Sequence, residues 1–123
     1  MDNLLKGLKI MSDFNQEAEN IANKINRTKA KVDWWCLMNA KFTIENPGLA
    51  EEFQSLINDI TTLDISSPKL MQLGYELNNA IQLDDDKLIL FKSEIKKFEK
   101  RLNAFKKSFT TFMSKAKVDF QFD

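Results

Sequence analysis

The sequence predicts an all-α fold, an elongated antiparallel helical bundle, and three observations carry that prediction. Two long stretches place apolar residues at alternating spacings of three and four, the period of one helix face. Three glycines and two prolines in 123 residues are too few for a turn-rich β fold. Apolar residues at 43% and charged residues at 29% suit a packed helical chain rather than a disordered one. The length is that of a single domain. Two long helices and a broken middle leg are expected, making a three- or four-helix bundle.

The first helix is expected over about 3–45. Its stripe is Leu4, Leu8, Met11, Phe14, Ala18, Ile21, Ile25, Thr28, Val32, Trp35, Asn39 and Phe42. Asn46-Pro47-Gly48 forbids continuation. A restart at Ser12-Asp13 is the alternative, since Asp13 with Gln16 resembles a capping box. The middle leg is expected as two helices, 48–64 and 68–82. Leu49, Phe53, Leu56, Ile60 and Leu63 face one way in the first; Leu70, Met71, Leu73, Leu77, Ala80 and Ile81 belong to the second. Ser67 as N-cap with Pro68 at the first helical position reads as a restart.

The last helix, 85–117, has the clearest stripe: Leu88, Phe91, Ile95, Phe98, Leu102, Phe105, Phe109, Phe112 and Ala116. It is expected to be the most buried surface of the protein. Asp84, Asp85 and Asp86 precede it, where aspartate caps a helix and complements its dipole. The tail, 118–123, alternates apolar and polar residues at strand period. It either folds back along the bundle or awaits a partner.

Charge is balanced overall, with 18 basic and 18 acidic residues, but segregated along the chain. Residues 1–46 carry seven basic and six acidic side chains, 47–86 one and eight, and 87–123 ten and four. The acidic middle and basic last third should attract one another where they pack.

Function narrows mainly by exclusion. Histidine is absent, which removes His-based acid–base chemistry and the Glu-x-x-His pairs of di-metal bundles. The glycines are isolated, so no phosphate loop exists. The aspartate trio fails the EF-hand pattern, with Ile89 where glycine and Ile95 where glutamate are needed. Cys36 sits among Trp34, Trp35, Leu37 and Met38 with no base to activate it, and reads as structural. No enzyme activity, cofactor, metal or small-molecule substrate is indicated. A lone cysteine and no signal-like or membrane-spanning segment point to the cytoplasm.

The outer lysines of the last helix could meet phosphates, but arginine forks are lacking, which argues against nucleic-acid reading. The most informative local feature is Trp34-Trp35-Cys36-Leu37-Met38. Five consecutive apolar residues circle a helix, so one stripe cannot bury them all. Trp35 faces the core; Trp34, Leu37 and Met38 need another element or a partner. Phe120 and Phe122 of the tail are the second contact candidate.

The expected function is therefore a non-catalytic protein–protein interaction module. An accessory, inhibitory or immunity-type protein of a bacterium or phage fits the lysine-, asparagine- and isoleucine-rich usage that AT-rich coding produces. One alternative is a structural, self-assembling coiled-coil or bundle oligomer, with Asn39 as a polar register-setting residue in the seam. The other is a lipid- or membrane-surface-binding bundle, with Leu4–Met11 as an interfacial segment.

Overall fold

The computed structural model describes residues 2–122, with side chains from Phe14 onward. It holds helix α1 (Asp2–Met38), the one-turn helix α2 (Phe42–Glu45), a 3-10 turn (Pro47–Leu49), helix α3 (Ala50–Asn78) and helix α4 (Asp85–Lys115). The all-α bundle is as the sequence predicts, and the three long helices pack against each other.

Their directions follow from who meets whom. Near its start, α1 puts Phe14 against Phe91 of α4, ring centroids 5.6 Å apart, and against Gly74 near the end of α3. At the opposite end, Trp35 meets Phe53 of early α3 at 5.7 Å, and Phe53 meets Phe112 of late α4 at 5.7 Å. The chain therefore runs up, down, up, with α1 and α4 parallel and α3 antiparallel to both. Contacts are dense between α1 and α3, fewer between α3 and α4, and sparse between α1 and α4. A groove follows along the α1–α4 seam.

Helix α1 stops at Met38, not at residue 45. There is no restart at Ser12-Asp13; the helix runs straight through. The stop has a tertiary cause. A straight continuation would carry Phe42 about 10 Å past Trp35, beyond the start of α3 and the end of α4. Turning at residues 39–41 folds Phe42 back into a nest of rings, 5.1 Å from Trp35, 5.2 Å from Phe53 and 6.1 Å from Phe112. Asn39 secures the turn: its side-chain amide donates to the Trp35 carbonyl at 2.9 Å. Asn39 is exposed, so the polar seam residue expected for a self-assembling coiled coil is a helix-end residue instead.

The middle leg is one helix rather than two, and it ends at Asn78 rather than at 82. Pro68 lies inside it. Proline has no N–H for the carbonyl four residues back, which belongs to Asp64. The Ser67 hydroxyl donates to that carbonyl at 2.8 Å, compensating for the missing bond. Pro68 itself is exposed, so its ring is directed away from the core. Ser67 is thus not an N-cap but a buried stripe residue. The stripe runs Phe53, Leu56, Ile60, Leu63, Ser67, Leu70, Gly74, Leu77, all buried.

Helix α4 starts where predicted and ends at Lys115, two residues before the expected 117. The Asp84 side chain accepts from the backbone N–H groups of Asp86 and Lys87 at 2.9 and 3.4 Å. Its buried face holds Phe91, Ile95, Phe98, Leu102, Phe105, Phe109, Phe112 and Met113. The C-terminus closes with the paired bonds of a Schellman motif. Val118 N–H donates to Met113 O at 2.8 Å and Lys117 N–H to Ser114 O at 3.0 Å. Lys117 carries the left-handed backbone, with φ 61°. Glycine would adopt that conformation without steric cost. Lys117→Gly is expected to raise stability by about 0.5–1 kcal/mol, measured as a higher urea midpoint with an unchanged m-value; a lower midpoint would count against the motif.

The acidic middle and basic last third meet in exposed pairs, Lys115–Glu52 at 2.9 Å and Lys87–Glu76 at 3.5 Å. Lys92–Glu17 at 3.4 Å joins α4 to α1. Each is worth about 0–1 kcal/mol, so they align helices more than they stabilise them. No helix among the described residues is long and apolar enough to cross a membrane. The side chains of Leu4–Met11, the interfacial segment of the membrane reading, lie outside the described residues.

Candidate functional site

The site begins with a helix that carries more apolar residues than its buried face can hold. On α1 the inward positions near the C-terminus are Val32 and Trp35. Trp34 and Leu37 point away, and Met38 closes the helix beside them. Their surfaces stand open: Trp34 is 62% exposed, Leu37 71% and Met38 64%. Neither the middle leg nor the tail covers them. Ile44, on the short α2 that follows, is 77% exposed as well. Ile44 was concealed in the sequence by the expectation of one helix to residue 45. A shallow concavity of about 410 Å³ lies at this end of the bundle, lined by Leu37, Met38, Asn39, Lys41, Phe42 and Glu45.

An aromatic cluster packs behind the end of α1. Trp35, Phe42, Phe53 and Phe112 stack beneath the turn at centroid distances of 5.1–6.1 Å. The Lys29–Asp33 pair, 2.6 Å apart, spans the turn that leads into Trp34. Its hydrogen bond raises the Lys29 pKa above the usual lysine value. Cys36 is half-buried, and burial first, then the nearby Asp33 charge, pushes its thiol pKa up. A thiol so placed is a poor nucleophile.

The other contact candidates have a different fate. The tail after α4 has no regular secondary structure, and its half-buried Val118, Phe120 and Phe122 alternate with exposed Asp119 and Gln121. Phe120 lies 5.1 Å from the Phe109 ring. Phe122 lies 5.7 Å from Phe109 and 6.1 Å from Phe105. Lys31 Nζ sits 5.7 Å from the centroid of the Phe120 ring. The tail thus folds back along the bundle, partly burying both rings. Trp34, Leu37 and Met38 form one surface; Phe120 and Phe122 belong to another.

Among the described residues, no three His, Cys, Asp or Glu side chains are grouped to hold a metal ion. Asp84 is engaged as a helix cap. Set against protein families, curated proteins and solved structures, the chain matches none.

Proposed function

We propose that this chain is a non-catalytic protein-binding module that docks through Trp34, Leu37, Met38 and Ile44. One observation supports this above others: three large apolar side chains exposed within five residues of a helix, beside a packed aromatic cluster. Leaving such groups in water costs about 1.5–3 kcal/mol apiece relative to burial, and tryptophan at the centre of a patch is a common binding anchor. The base beneath is already packed, so little ordering would oppose association. Within that class an accessory, inhibitory or immunity-type role in a bacterium or phage is our narrower reading, resting on the coding signature alone.

Trp34→Ala combined with Leu37→Ala is expected to reduce partner recovery in a quantitative pull-down at least tenfold while leaving the melting curve unchanged. Equal recovery by both proteins would remove the patch from the binding surface. Light scattering on the same pair identifies the occupant: a dimer lost in the variant would assign the patch to a second copy of this chain.

A further inference from the structure

We infer that the α1–α4 groove holds a binding site for a small, multiply phosphorylated anion, built by Lys24, Arg27, Lys31 and Lys106. The groove exists because the two parallel helices touch each other lightly and both lean on α3. Lys24, Arg27, Thr28 and Lys31 recur on α1 at spacings of three and four, which places them on one face. Asn103 and Lys106, three apart on α4, oppose them. Together with Leu102 and Phe122 they line a concavity of about 310 Å³.

Two features separate this site from an ordinary lysine-rich surface. First, among the described residues its lining holds four cations and no carboxylate, in a chain whose acids and bases are equal in number. Second, the four basic residues line a recess between two helices rather than a convex face. Four like charges facing one recess repel one another, and an anion placed between them relieves that repulsion. Asn103 adds an amide donor, and Arg27 a planar fork suited to phosphate oxygens.

The shape argues for a small ligand over a polymer. A nucleic-acid strand needs a continuous basic track. Here the folded-back tail occupies the groove on one side of the recess, with Phe122 as its wall. On the other side the Lys92–Glu17 bridge crosses the seam. The volume lies at the lower end of the range for small-molecule sites. Leu102 and Phe122 give it an apolar side against which the organic part of a phosphorylated compound can rest.

The experiment is calorimetric titration of the full chain with inorganic tripolyphosphate at constant ionic strength. Saturable one-to-one binding is expected, weakened at least tenfold in the Lys24→Gln, Lys31→Gln, Lys106→Gln triple variant. A second triple variant, Lys69→Gln, Lys96→Gln, Lys100→Gln, removes the same charge from residues that do not line the recess and should bind as wild type. Circular dichroism verifies that both fold. Absence of saturation by millimolar tripolyphosphate would overturn the site. So would equal weakening in the two variants, or binding confined to a single-stranded oligonucleotide.

Discussion

Phe109→Ala is expected to be the most damaging single truncation in this protein, lowering stability by about 3–5 kcal/mol. Phe109 is fully buried. Its ring lies 5.5 Å from Phe105, 6.3 Å from Phe53, 5.1 Å from Phe120 and 5.7 Å from Phe122. It therefore joins α4 to α3 and anchors the returning tail. Removing it opens a cavity between two long helices that cannot collapse independently, and the tail loses its central contact. Thermal unfolding should show a midpoint lower by roughly ten degrees or more. Amide exchange should speed up first at residues 118–122, and a shift of only a degree or two would place Phe109 outside the core.

Gly74 supplies the second large effect, and its sign opposes helix propensity. At an exposed helix position, Gly→Ala stabilises by about 1 kcal/mol. Here a Cβ would stand 3.0 Å from the Phe14 carbonyl oxygen and 3.3 Å from the Ala18 Cβ. Both sit on the facing helix, one of them backbone, so accommodation requires the helices to separate. Gly74→Ala is expected to lower stability despite its better propensity, and Gly74→Val to lower it by at least about 2 kcal/mol through overpacking. Gly48 is the internal comparison, since a Cβ there meets nothing within 4 Å. Gly48→Ala should be neutral or slightly stabilising, by about 0.4–1 kcal/mol at most. Denaturant midpoints of the three variants test this; a stabilised Gly74→Ala would show that α1 and α3 do not approach so closely.

These two positions also show what could be read from the chain and what could not. The α4 stripe was legible because eight of its nine members are large and apolar, and because Asp84 offers the cap that α4 uses. The α3 stripe has the same spacing, but Ser67 and Gly74 occupy two of its positions. A polar and a missing side chain conceal the periodicity, and Ser67-Pro68 imitates a helix start. Both small residues make sense only with the tertiary contacts present. Gly74 lets α1 approach, and Ser67 satisfies the carbonyl that Pro68 leaves without its helical partner. The end of α1 was illegible for a related reason. Helix propensity continues past Met38, and only the burial of Phe42 against Trp35, Phe53 and Phe112 favours the turn.

The candidate sites divide in the same way. Trp34 and Leu37 could be read from geometry alone, since no single helix stripe holds five adjacent apolar residues. Ile44 depended on the turn, and the α1–α4 recess depended on helix order in space. Lys24, Arg27 and Lys31 share a face visibly enough in sequence. What sequence spacing does not give is that α4 runs parallel beside that face and brings Lys106 to it.

The binding role is tested most directly by labelling both tryptophans with 5-fluorotryptophan and recording 19F spectra of the full chain. Trp35 then serves as the packed reference beside Trp34. In dilute purified protein, docking through this face predicts a solvent-isotope shift for Trp34 larger than that for half-buried Trp35. On adding extract from the source cells, the Trp34 resonance should move or broaden and lose its solvent sensitivity, while Trp35 holds its position. A Trp34 signal that stays sharp and solvent-sensitive in that extract would contradict the proposal.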